Sequence, residues 1–145
     1  MFRRILVGFD GSPGARRALH YALQLAVSSE SLVWALAVKE PLPRYAARAA
    51  ELLAESDVRE HFERLENEAR SEAAAAGVPL QAEAVQGHAS QAIVEYARQV
   101  NADLIVIGQH GHGGVLDRML GSTSDRVVDT ASCSVLVVPS ERHRS

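Results

Sequence analysis

Between Leu104 and Val128 the chain reads LIVIGQHGHGGVLDRMLGSTSDRVV, and the chemistry on offer there is that of exposed backbone. Gly108, Gly111, Gly113, Gly114 and Gly121 lie between a β-branched run and a polar, helix-opening stretch. Glycine lets the main chain take positive φ and approach a ligand with no Cβ in the way. Successive amides in such turns form concavities that hold anions. A helix N-terminus adds unused N–H groups and a partial positive charge. Each helix-end contribution is only about 0.3–1 kcal/mol when exposed, so several donors must converge for useful affinity. The stretch therefore fits a main-chain phosphate site, with a flexible glycine-rich loop as the plain alternative.

Two common phosphate loops are excluded. A Walker loop needs G-x4-G-K-[ST], and no lysine lies in or near this segment; of the 15 basic residues only Lys39 is a lysine. The dinucleotide fingerprint G-x-G-x-x-G should follow the first strand, but the turn there spaces its glycines as Gly8, Gly11 and Gly14. What remains is Gly108-x2-Gly111-x9-Gly121-Ser122. Asp10, at the end of the first apolar run, either supports the turn DGSPG or faces a ligand. His110 and His112 alternate like a metal pair but read as solvated loop histidines. Arg118 and Arg126 read as surface charges, with a triphosphate counter-charge as the alternative. The one cysteine, Cys133, reads as a small buried hydrophobe, with a reactive thiol as the alternative. No intrachain disulfide is possible.

These residues have to be positioned by regular elements, and the pattern supplies them. Five apolar runs, Arg4–Phe9, Leu32–Val38, Leu80–Val85, Asp103–Gly108 and Ser134–Pro139, read as strands. The first, fourth and fifth are nearly continuous in Ile, Leu and Val, which predicts parallel strands buried on both faces. The third alternates Leu80, Ala82 and Ala84 with Gln81 and Glu83, as an edge strand does. Ser12 and Pro13 open a first helix, and Ala15, Ala18, Leu19, Ala22, Leu23 and Ala26 recur along it at helical spacing. A second helical stretch runs from Tyr45 to Ala76, as one helix or as two broken near Ser56 and Asp57. A third covers Ser90 to Gln99. The last covers Ser122 to Thr130, with Ser122 as N-cap and Asp125 at capping-box spacing. Alternating strands and helices predict one doubly wound α/β domain over 1–145, with ligands beyond the carboxyl ends of the strands where their order reverses. Trp34 and Tyr96 fall inside the pattern as core or subunit contacts.

Composition narrows the function classes. A 47% hydrophobic and 23% charged chain with net charge −3 has no electrostatic footprint for nucleic acid. No apolar run approaches the length of a membrane span, and MFRRILVGFD lacks a signal-peptide core, so a cytoplasmic protein is expected.

The sequence resembles the universal stress protein family, in particular its nucleotide-binding branch, marked by G-x2-G-x9-G-[ST]. GQHGHGGVLDRMLGS fits that motif at every fixed position. RRILVGFDGSPGARRALHYAL, GHASQAIVEYA and SVLVVP resemble the family's opening strand and first helix, its third helix and its closing strand. The resemblance implies a Rossmann-like, adenine-nucleotide-hydrolase-like sheet ordered 3-2-1-4-5, and a homodimer paired through the fifth strand. It implies ATP, or ADP or AMP, between the ends of strands one and four. Gly108 and Gly111 would lie along the ribose and phosphates, with Gly121 and Ser122 capping the phosphate end and Thr123 beside them. Asp10 would face the ribose or adenine near Gly8. Ala37 would line the adenine pocket, with Ile107 packing nearby. Mg²⁺ or Mn²⁺ would be held by phosphate oxygens and water. A nucleotide-dependent regulatory module is therefore expected. A slow ATPase or phosphotransferase is the alternative, disfavoured because no Walker-B acid, nucleophile–base pair or lysine clamp is visible. The third alternative, a scaffold that binds no nucleotide, conflicts with the intact motif.

Overall fold

The computed structural model describes residues 1–41, 55–109 and 121–139. The elements follow in the order β1 (Arg4–Gly8), α1 (Pro13–Ser29), β2 (Leu32–Lys39), α2 (Glu55–Ala76), β3 (Leu80–Gln86), α3 (Ala89–Gln99), β4 (Leu104–Gly108), α4 (Ser122–Thr130) and β5 (Ser134–Val138). All strand pairs are parallel, in the order β3-β2-β1-β4-β5. The chain adds strands outward from β1 to β3, then returns to the other side of β1 for β4. That reversal makes the carboxyl ends of β1 and β4 the crevice where such sheets accept ligands.

The period-2 geometry of the strands sorts their side chains into two layers. Ile5, Val7, Val33, Ala35, Ala37, Leu104 and Val106 face α1 and α2. Leu6, Trp34, Leu36, Ile105 and Ile107 face α3 and α4. Strands β1 and β4 are therefore apolar at every central position, as their sequences predict. The alanine stripe of α1 (Ala15, Ala18, Ala22, Ala26) is buried and lets that helix lie close on the sheet. β3 is an edge strand, as its alternation predicts. β5 forms the other edge, as the order 3-2-1-4-5 implies, but Val135, Leu136 and Val137 are only half-buried where its apolar run predicts burial on both faces. A continuous apolar run cannot by itself tell a central strand from an edge strand. Ser56 and Asp57 lie within an unbroken α2; the stretch from Tyr45 to residue 54 lies outside the described residues.

At the amino end of the sheet Asp103 clamps β1. Its carboxylate accepts the Arg3 amide at 2.9 Å and the Arg4 amide at 3.1 Å. Arg4 donates from Nε to the Val100 carbonyl at 2.6 Å, and its guanidinium covers the Trp34 ring at 4.7 Å. Trp34 and Tyr96 both belong to the core. Burial first, and then a hydrogen bond to Glu83 and its charge, push the Tyr96 hydroxyl up to about 12.

This shift fixes a stability window. A folded-state pKa above the unfolded value of about 10 means that the folded chain holds the proton more tightly. The resulting stabilisation is complete below pH ~10 and is lost as pH rises towards ~12. Denaturant midpoints should therefore fall between those limits, and Tyr96→Phe should flatten the fall. An equally steep fall in the variant would show that another group controls it.

Candidate functional site

Three helices described from their first residue, α1, α3 and α4, start at the carboxyl end of the sheet, and each treats its first-turn amides differently. At α1 the Ser12 hydroxyl accepts the Ala15 amide at 3.2 Å, and Asp10 in turn accepts the Ser12 amide at 2.9 Å. The supporting role of Asp10 in the DGSPG turn is thus real geometry. Gly11 completes that turn at φ +80°, with Leu65 Cδ2 only 2.6 Å from where a Cβ would stand. At α3 the N-cap His88 makes no side-chain cap, but Glu40 reaches across from the end of β2 to accept the Ala89 amide at 3.0 Å. At α4 the N-cap Gly121 has no side chain to cap with, and among the described residues no other side chain accepts its first-turn amides.

The start of α4 is fixed by backbone. The Gly121 amide donates to the Gln109 carbonyl at 2.8 Å, while the Gln109 amide donates to the Val138 carbonyl at 2.8 Å. Buried Ser124 donates its hydroxyl to the Gln109 carbonyl at 2.8 Å and lies 3.2 Å from that of Gly121. The helix start is thereby seated on the end of β4. An α-helix leaves the amides of Ser122, Thr123 and Ser124 unused within itself. Here Gly121 is the N-cap, at φ −62° and ψ 159°, and its carbonyl accepts the Asp125 amide at 2.9 Å. This corrects the assignment of Ser122 as N-cap: Ser122 is the first helical residue and is exposed. The capping-box spacing was one residue out of register because glycine also caps well and carries no side chain to signal it.

The remaining predicted residues separate into groups. Gly8 and Ile107 meet: a Cβ on Gly8 would stand 3.2 Å from both Ile107 Cγ2 and Ile93 Cδ1. Ala37 is buried in the α1/α2 layer and Ile107 in the α3/α4 layer, so their side chains lie on opposite faces of the sheet. Thr123 is half-buried beside Ser122 on α4. Gly108 is pressed against α1, since a Cβ there would come within 2.7 Å of the Gly14 carbonyl carbon and 2.8 Å of its oxygen. Gly111, with Gly113, Gly114, His110, His112 and Arg118, lies outside the described residues.

Sequence reasoning missed Gly14, Gln109, Ser124 and Glu40. Glycine in a first helical turn signals close approach, so Gly14 was findable. Gln109 acts through main chain, and Ser124 is one of several polar residues in STSD that only the helix register distinguishes. Glu40 works across a sequence gap that no local pattern spans.

Other candidate chemistry is quiet. Lys39 lies over the Phe62 ring at 4.9 Å. Cys133 is half-buried, and burial followed by the charge of Asp103 pushes its thiol up, which favours the unreactive protonated form. Among the described residues no group of three His, Cys, Asp or Glu could hold a metal ion, and no helix is long and apolar enough to cross a membrane.

Comparison with known proteins agrees with this architecture. The pattern of the universal stress protein family matches residues 1–139. The universal stress protein in the QAH/OAS sulfhydrylase 3′ region of Thermus aquaticus is 37% identical over 139 residues, covering 95% of this chain and 99% of its own. The solved structure of the hypothetical protein MJ0577 superposes with a TM-score of 0.82 at 26% identity, over 98% of this chain and 99% of that one. A universal stress protein solved in complex with cAMP superposes with a TM-score of 0.72 at 30% identity, over 94% and 97% of the two chains. With the family pattern spanning nearly every residue and the sheet order in agreement, the chain belongs to the universal stress protein family.

Proposed function

We propose that this protein binds an adenine nucleotide, ATP or its shorter relatives ADP and AMP, beyond the carboxyl ends of β1 and β4, and acts as a nucleotide-dependent regulatory module of the stress response. The observation that carries this reading is the start of α4. Gln109 seats it at the crevice, and among the described residues no side chain caps its first turn, whereas α1 and α3 have acceptors in Ser12 and Glu40. That end of α4 suits a phosphate supplied from outside. The G-x2-G-x9-G-[ST] spacing supports the reading, as does the cAMP bound by one 30% identical relative of the same fold.

Within it, Ser122 and Thr123 meet the terminal phosphates, with Gly121 keeping the helix start open. Gly108 and Gly111 border the ribose and phosphates. Asp10, already oriented by the Ser12 amide, faces the ribose near Gly8. Ala37 and Ile107 border the adenine; because their side chains sit in opposite layers, they do so at the ends of their strands. Any Mg²⁺ or Mn²⁺ is assigned to phosphate oxygens and water.

Titration calorimetry with ATP and Mg²⁺ should show saturable binding. Absence of heat at high protein concentration would refute the nucleotide reading. Phosphate release should stay far below sustained turnover; many turnovers per minute would make the protein an enzyme. We further infer a cytoplasmic homodimer whose β5 edges pair, which would cover Val135, Leu136 and Val137. A monomeric mass in sedimentation at micromolar concentration would refute the pairing.

A further inference from the structure

α1 and α4, the two helices whose starts flank β4, carry three arginines and no lysine: Arg16, Arg17 and Arg126. Arg16 is paired with Glu68 on α2 at 2.7 Å. Arg17 donates from Nε to the Pro139 carbonyl at 3.2 Å. Arg126 is exposed, and among the described residues its guanidinium makes no hydrogen bond or ion pair, neither with the adjacent Asp125 nor with Asp129 one turn on.

Its position gives that side chain a use. Arg126 follows Ser122 by four residues, so the two share a face with Cβ atoms about 5–6 Å apart. Helical side chains lean towards the N-terminus, a direction that puts the first turn of α4 within reach of a side chain as long as arginine. Arg126 is the middle residue of this nine-residue helix, so neither end of the macrodipole accounts for it. Guanidinium matches phosphate oxygens bidentately and keeps its charge at any physiological pH.

We propose that Arg126 is a specificity-determining residue that favours nucleotides with more phosphate groups, ATP and ADP over AMP. The proposal rests on the nucleotide reading above: the terminal phosphates reach the start of α4, where Arg126 adds charge to the main-chain amides, while the single phosphate of AMP stops short.

The test compares ATP and AMP affinities of the parent chain, Arg126→Gln and Arg98→Gln. Arg98 is an exposed arginine in the last turn of α3, at the opposite end of the sheet, so its variant carries the same change in net charge. Arg126→Gln should weaken ATP about fivefold, the scale of an exposed charge pair, and leave AMP within about twofold. Arg98→Gln should leave the ATP-to-AMP ratio unchanged. An unchanged ratio in Arg126→Gln, or an equal shift in both Arg variants, overturns this assignment and leaves the nucleotide reading standing. Failure of the parent chain to bind either nucleotide overturns both.

Discussion

Gly108→Ala is expected to cost the protein a large share of its stability. The added Cβ would sit 2.7, 2.8 and 3.1 Å from the carbonyl carbon, carbonyl oxygen and Cα of Gly14. All three are backbone atoms of the first turn of α1, so no side-chain rotation relieves the clash. Either α1 lifts from the sheet or the end of β4 bends. Overpacking of this sort costs about 1–3 kcal/mol, and the lack of a flexible neighbour puts this case near the upper end. For a chain of this size that corresponds to a fall in melting temperature of roughly 10 °C. Circular dichroism melts would check it. A variant that melts with the parent would mean that α1 and β4 do not make this contact, and the packing explanation of Gly108 would fail.

Gly121→Val is expected to behave in the opposite way, losing nucleotide binding while retaining the fold. Gly121 sits at φ −62° and ψ 159°, a conformation open to any residue, so the backbone does not demand glycine there. Valine is a poor N-cap, which costs helix stability on the order of 1 kcal/mol. Its two methyl groups would crowd the approach to the Ser122 and Thr123 amides. Removing several converging donors on the order of 3 kcal/mol weakens binding about 100-fold. Calorimetry on the folded variant measures this, with a melt as the control. Binding at parental strength would mean that phosphate does not meet the start of α4. One motif thus contains a glycine expected to control stability and another expected to control binding, and the pair of variants separates the two roles.

The difference between these glycines was not legible in the sequence. Gly108 and Gly121 look alike as motif positions, and their spacing says only that the main chain is needed at both. The reason for Gly108 lies in Gly14, distant along the chain, and emerges only when α1 crosses the end of β4. Asp10 is similar: its place after the first strand was readable, but its hold on the Ser12 amide depends on the turn. The N-cap of α4 was misplaced by one residue because a polar side chain gives a sequence signal and a capping glycine does not.

What the sequence determined by itself was the sequence-local part of the protein. Hydrophobic period and breaker residues depend on neighbours a few positions away, and they located all five strands, the first helix with its Ser12 cap, and the end of α2 at Ala76. Only the tertiary structure decided the relations between distant segments. It put Val135, Leu136 and Val137 at an edge, sent Ala37 and Ile107 to opposite layers, engaged Arg16 and Arg17 while leaving Arg126 exposed, and brought Glu40 to the start of α3. The physical reason is the same in each case. Periodicity tells which side of a strand or helix is apolar, but which neighbour covers that side is set by the packing of elements far apart in the chain.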